Sequence, residues 1–231
     1  RYGKSKEGNY VEFSRLSPKF EQGFPGDLEQ RIRYTLTDNN ELIIDYRMAT
    51  NETTVVNPTN HTYFNLNGQD NGNILQHRLE IYANSFLEID EDFVPTGNIL
   101  NVENTPMDFR IKKIIGKQID YNDVQIRRAK GYDHNYVFTN DGKLKKMAKL
   151  YCDESGITMT VYSDLCGMQL YTGNFLDGVV GKGGTRYEEK AGICFETQYY
   201  PNACNEEHFP SSVLKAGQTY KSRTIYELAV S

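Results

Sequence analysis

The side chains best suited to acid–base chemistry fall in three short stretches. The first is Asn57-Pro58-Thr59-Asn60-His61-Thr62-Tyr63-Phe64-Asn65-Leu66, mostly polar yet preceded by the strand-prone, β-branched Thr53-Thr54-Val55-Val56. An extended backbone there would turn His61 and Tyr63 to one side and Thr62 to the other. The Asn67-Gly68 pair that follows is a turn signal. The second stretch is Asp133-His134-Asn135, a carboxylate, an imidazole and an amide at the mouth of the strand-like Tyr136-Val137-Phe138. The third is Ile193-Cys194-Phe195-Glu196-Thr197-Gln198, whose period-two alternation puts Cys194, Glu196 and Gln198 on one face and Ile193, Phe195 and Thr197 on the other. An acidic residue between Phe195 and the Tyr199-Tyr200 pair is expected to be partly desolvated. Desolvation raises a carboxyl pKa towards the range where the group works as a base near neutrality.

Each of these residues also has an ordinary reading. Asp133 suits a backbone hydrogen bond in the Gly131-Tyr132-Asp133 turn, Glu196 a solvated sheet face, and Gln169 a polar sheet edge. His77, at a strand entrance, reads as structural, and His208, in a polar loop before Pro210, as solvated. There is no Walker-type phosphate loop and no Gly-x-Ser-x-Gly elbow. Cys152, Cys166, Cys194 and Cys204 show no Cys-x-x-Cys spacing, and with only four histidines a zinc site is not expected. Neither a metal nor an organic cofactor is expected.

The elements that must position these groups are strands. Tyr10–Leu16 alternates; Ile32, Tyr34 and Leu36 share one face and Leu42, Ile44, Tyr46 and Met48 the next, joined by an Asp38-Asn39-Asn40 turn. Further strands are read at 79–81, 86–89, 146–151, 157–162, 169–172, 193–198 and 220–228, with loops at Gly23–Gly26 and Asp92–Gly97. Residues 107–119, with Phe109, Ile111, Ile114 and Ile115, are the one place where a short helix is expected. Many strands at short spacing argue for an all-β chain, a large antiparallel β-sandwich, with 1–231 as a single domain.

Bulk composition narrows the partners. The 231 residues are 38% hydrophobic and 25% charged, as in ordinary globular chains, and a net charge of −5 offers nothing to nucleic acid or an anionic membrane. No apolar run approaches the roughly 18 residues of a membrane span. Four thiols without a pairing pattern suit a reducing compartment, so a cytoplasmic location is expected. Arg1-Tyr2-Gly3-Lys4 carries neither an initiator Met nor a secretory pattern. Seventeen Tyr and eleven Phe suit sugar stacking, but they suit β-sheet equally well.

Four segments, 57–66, Gly131–Tyr136, Gly167-Met168-Gln169-Leu170-Tyr171-Thr172-Gly173-Asn174-Phe175 and Gly192–Asn205, together resemble the aldose 1-epimerases, the galactose mutarotases. Pro95-Thr96-Gly97, Thr105–Arg110 and Phe209-Pro210-Ser211 look like that family's intervening segments, and the likeness runs in order through nearly the whole chain. Pro58 and Asp164-Leu165-Cys166 depart from the usual pattern. The resemblance implies a supersandwich that binds a free hexose such as galactose or glucose in an open cleft. It implies His61 as general acid and Glu196 as general base, Asp133 and Gln169 as sugar-hydroxyl ligands, and Tyr63 lining the cleft. His134 and Gln198 neighbour matched positions without being expected to touch sugar. The family's N-terminal part, with an asparagine–arginine pair and a further sugar-contacting histidine, has no counterpart, so the chain is expected to correspond to the later portion of the domain. The alternatives are a non-catalytic carbohydrate-binding protein of the same fold, a mutarotase domain fused to another sugar-metabolising enzyme, and a hydrolase, although glycosidases usually employ two carboxylates.

Overall fold

A computed structural model of the chain describes residues 1–230. It opens with an antiparallel meander of β1 (Tyr2–Lys4), β2 (Gly8–Ser17), β3 (Leu28–Thr37) and β4 (Glu41–Thr50). The expected turn between β3 and β4 is present, with Asn40 taking the left-handed backbone that asparagine tolerates better than most residues (φ 60°). The short β5 (Thr54–Val55) leads into the His61 segment. Next come β6 (Arg78–Ile81), β7 (Ser85–Ile89), β8 (Pro95–Asn101), β9 (Lys113–Ile114), the helix α1 (Val124–Ala129), β10 (Asp133–Val137), β11 (Lys145–Tyr151), β12 (Ile157–Ser163) and β13 (Gly167–Tyr171). A small excursion, β14 (Val179–Val180) with β15 (Arg186–Tyr187), precedes β16 (Cys194–Gln198), β17 (Val213–Leu214) and β18 (Thr219–Val230).

These strands build two principal sheets, antiparallel throughout. One runs β1-β2-β3-β4-β18-β12-β11-β6-β9 and the other β16-β13-β10-β7-β8. Inward residues of the first sheet, among them Ile44, Tyr46, Leu79, Ile81, Leu150, Met159 and Tyr226, share one apolar core with Phe86, Tyr136, Met168, Leu170 and Phe195 of the second. That is the expected β-sandwich. Polar ties cross the core as well: Tyr226 Oη donates to the Phe195 carbonyl at 2.8 Å, and the Thr197 and Thr224 hydroxyls meet at 2.5 Å. In a dry interior such buried bonds fix the register between layers. At the other end of the large sheet β2 is thinly covered, and Val11, Phe13 and Leu16 are exposed. Among the described residues no helix is long and apolar enough to cross a membrane.

Two local expectations need correction. The α-helix is not in 107–119. That stretch is mostly extended and irregular, with helical backbone only in the single 3-10 turn Ile115–Lys117: Phe109 and Ile115 reach the core from it, Ile111 faces solvent, and β9 lies within it. The helix forms instead at 124–129, where Asp123 caps it by accepting from the Gln125 and Ile126 N–H groups at 2.8 and 3.3 Å. Six residues are too few to display a 3.6 period, so its signal was the cap rather than the pattern. Nor is Asp92–Gly97 a loop throughout. The turn closes with Asp90 N–H on the Val94 carbonyl, and β8 starts at Pro95. Proline is tolerated there because β8 is an edge strand bonded to β7 alone.

Candidate active site

The five-stranded sheet has one face in the main core. Its other face packs Leu87 and Val137 into a second apolar cluster with Tyr200 and Phe209 and is polar at Asp133, Gln169 and Glu196. The alternation of β10, β13 and β16 decides which side chain goes where. Across the three strands the register aligns Asp133 with Tyr171 and Cys194, then Asn135 with Gln169 and Glu196, then Val137 with Gly167 and Gln198. Side chains so aligned share a face. The intervening positions, His134, Leu170 and Phe195, then Tyr136, Met168 and Thr197, share the opposite face, where Leu170, Phe195, Tyr136 and Met168 belong to the core. Three predicted site residues, Asp133, Gln169 and Glu196, therefore come together from strands far apart in sequence.

The His61 segment is not a strand, yet it lies alongside β16. Asn57 imitates strand pairing with its side chain: Nδ2 donates to the Tyr199 carbonyl at 3.0 Å and Oδ1 accepts from Tyr199 N–H at 2.8 Å. Thr59 Oγ1 donates to the Thr197 carbonyl at 3.0 Å, and Phe64 exchanges both backbone bonds with Ile193. These anchors bracket His61. At the exit, the Leu66 N–H donates to His77 Nε2 at 3.1 Å, which gives the buried His77 the structural role its position suggests. Gly192 permits the close approach, since a Cβ there would come within 2.9 Å of Tyr63 Cβ.

His61 Nε2 lies 3.4 Å from a Glu196 carboxylate oxygen, and His61 Nδ1 lies 3.4 Å from Cys194 Sγ. The His61 side chain is 50% exposed and that of Glu196 only 10%. Burial therefore pushes the Glu196 carboxyl up to about 7; His61 opposes this and Asp133 reinforces it. Asp133 is also raised by burial, with the Gln169 hydrogen bond and His61 pulling the other way. Gln169 Nε2 donates to Asp133 Oδ1 at 2.7 Å, while Gln169 Oε1 has no protein donor. Burial raises the Cys194 thiol far above its ordinary value, so it stays protonated.

Aromatic rings wall the cluster. Tyr63 lies 5.1 Å from His61 ring to ring, so the two face the same side as expected, and Tyr171 packs edge-on against both. Tyr171 was not singled out in the sequence, although its place two residues beyond Gln169 on the same strand face was available there. Beyond Tyr63 opens a groove of about 770 Å³, lined by Phe64, Gln69, Val179 and Tyr187 among others. His134, by contrast, is wholly buried on the core side, edge-on to Phe86, with its Nδ1 accepting from Asp133 N–H. Gln198 shares the face of Glu196, directly opposite Gly167, and His208 is exposed and bonded to the Gly97 carbonyl. All four cysteines are free thiols, three of them buried.

The arrangement sets an imidazole beside a desolvated carboxyl, with a second carboxyl and an amide on the neighbouring strands. Comparison with known proteins places the chain in a family. The family model described as aldose 1-epimerase matches residues 2–227. The chain is 42% identical over 224 residues to the galactose mutarotase of Bos taurus, covering 96% of this chain and 64% of that protein. It is 35% identical over 220 residues to the aldose 1-epimerase of Escherichia coli K12, covering 94% and 63%. Among solved structures it is similar to the aldose epimerase homologue from C. elegans (TM-score 0.86, 29% identity, 100% of this chain and 68% of that one). It matches the galactose 1-epimerase from Lactobacillus acidophilus with the same score at 25% identity, covering 100% and 65%. The chain thus spans about 64% of the length of the curated relatives it matches.

Proposed function

The chain belongs to the aldose 1-epimerase family, and from that premise we propose that it interconverts the α and β anomers of free hexoses such as galactose and glucose. The observation that carries the reading is the His61–Glu196 pair, 3.4 Å apart, with one partner open to solvent and the other desolvated. Anomer exchange needs two proton transfers at two oxygens bonded to the same carbon, so the acid and the base must stand close together. Glu196, ionised, takes the proton of the C1 hydroxyl while His61, protonated, gives one to the ring oxygen. The C1–ring-oxygen bond breaks and a carbonyl forms at C1. Rotation about C1–C2 presents the other carbonyl face. On reclosure the former ring hydroxyl returns its proton to His61, and Glu196 protonates the carbonyl oxygen. The two residues end as they began, and the balance requires no redox step or metal.

Asp133 and Gln169 bind sugar hydroxyls in this reading. The Gln169 amide donates to Asp133 Oδ1 and so holds that carboxyl in place. Tyr63 and Tyr171 wall the ring of the sugar. Because Glu196 and His61 exchange influence directly, the pH profile reports the pair, with an acid limb set by protonation of a carboxyl raised to about 7.

Polarimetry on freshly dissolved α-D-galactose and α-D-glucose tests this. Glu196→Gln is expected to cut the catalysed rate by about 10²–10⁴-fold and to abolish the acid limb. A folded wild-type chain that binds sugar without accelerating the optical change would leave a carbohydrate-binding protein as the better account.

A further inference from the structure

The spacing of cysteines and histidines in the sequence excludes a zinc cluster only among linear neighbours. Folding brings three different donors together: one nitrogen of His61, Sγ of Cys194 and a carboxylate oxygen of Glu196 all lie within 4.8 Å of one another. We propose that these residues form a capture site for a thiophilic divalent cation, Zn²⁺ or Cd²⁺, and that occupancy shuts down proton transfer by occupying the acid and the base together. The inhibitory half of the proposal rests on the catalytic reading above; the binding half does not.

The geometry supports a chelate. With Zn–N near 2.0 Å and Zn–S near 2.3 Å, a metal bridging a 3.4 Å N···S gap subtends an angle of about 100°, close to tetrahedral. His61 Nδ1 and Cys194 Sγ already stand at that separation. Cys194 and Glu196 are two apart on one face of β16, so strand geometry presents both on a rigid base. Glu196, now 3.4 Å from Nε2, completes the third position by side-chain rotation, and the half-exposed imidazole has room to adjust. The fourth position faces the open side, where water or a sugar hydroxyl can sit. A set of one thiolate, one imidazole and one carboxylate suits a borderline or soft ion and discriminates against Mg²⁺ and Ca²⁺, which prefer all-oxygen shells. Binding expels the Cys194 S–H proton to solvent and forms the metal–sulfur bond without any change of oxidation state.

Cys204 is exposed, with Glu206 and His208 close by in sequence, so the test uses a Cys204→Ser background. Cd²⁺ is titrated by calorimetry and by the ultraviolet thiolate-to-metal charge-transfer band, with Mg²⁺ as control. One equivalent is expected to bind with the sulfur band. Since loss of an outer-shell partner alone weakens a metal site about 10–100-fold, Cys194→Ser and His61→Ala, which remove direct ligands, are each expected to exceed that loss. In parallel, catalysed anomerisation is expected to fall in proportion to occupancy and to return on addition of chelator. Absence of the band, binding that survives Cys194→Ser, or full occupancy with undiminished catalysis would each overturn the proposal. Stoichiometric, Cys194-dependent binding in a chain without catalysis would keep the metal site and remove the catalytic reading.

Discussion

The two faces of the five-stranded sheet are made from the same fifteen residues of β10, β13 and β16, and they solve opposite problems. On the inner face Tyr136, Met168, Leu170 and Phe195 are buried with their needs met, down to the Tyr136 hydroxyl on the Met107 carbonyl at 2.9 Å. On the outer face Asp133, Gln169 and Glu196 are desolvated with their needs only partly met, as the unpartnered Gln169 Oε1 and the raised carboxyls show. Adjacent residues fall on opposite faces, and the inner one of the pair keeps a need unmet, since His134 Nε2 is buried without a partner. Asp133 faces His61, whereas His134 is packed against Phe86 and held neutral, its pKa lowered to about 3 by burial. One face gains stability from the absence of water; the other holds groups whose chemistry depends on being short of partners.

That contrast can be broken from either side. The largest expected effect is on the inner face: Phe195→Ala should cost about 3–5 kcal/mol of unfolding free energy, read from the urea midpoint at constant slope. On the outer face the sign should reverse. Glu196 has a folded pKa above its unfolded value, so the native state holds its proton more tightly and stability falls as pH rises from about 4.5 through 7. Glu196→Gln should therefore raise the unfolding free energy at pH 8 by on the order of 2 kcal/mol, read from the urea midpoint at constant slope, and change little at pH 4. A loss of stability at pH 8 would show that the outer face is as well satisfied as the inner one.

His134 sharpens the comparison with the opposite slope. Its folded pKa lies below its unfolded value of 6.5, so its contribution is intact above pH 6.5 and is lost as pH falls towards 3. His134→Gln should flatten that acid limb, with a difference of about 2 kcal/mol by pH 5 when each protein is referred to its own stability at pH 8. The smallest change is Tyr136→Phe, which removes the Oη bond to Met107. A cost of about 1 kcal/mol with no change in sugar handling is expected, measured by denaturation and polarimetry together.

Much of this division was legible in the sequence because a strand's period of two is rigid. The split of Cys194, Glu196 and Gln198 from Ile193, Phe195 and Thr197 follows from alternation alone, and the register of β13 against β16 preserves it. The same rule would have placed Tyr171 beside Gln169. What alternation could not supply was the meeting of His61 with Cys194, because the segment carrying His61 has no ladder of its own. It is held by the Asn57 and Thr59 side chains, and a side chain that stands in for backbone leaves no periodic trace. Helix α1 was missed for a related reason: its origin lies in the single cap Asp123 and in Gln125, whose amide spans both backbone groups of Ile89. The Phe109–Ile115 run reads as helical by composition, but Phe109 serves the core from irregular backbone, Ile111 faces solvent, and only the 3-10 turn that begins at Ile115 is helical.

The position of β18 carries a consequence for how the chain is made. This twelve-residue strand lies between β4 and β12, bonded to both, and is synthesised after either. Until it emerges, the large sheet exists as two halves, β1–β4 on one side and β12, β11, β6 and β9 on the other, each with an open edge of unpaired backbone groups. Open edges invite pairing with other chains, and late long-range closure slows folding. A nascent chain stalled before residue 219 would therefore have to be shielded from its neighbours, since the strand that protects both halves is the one still to come.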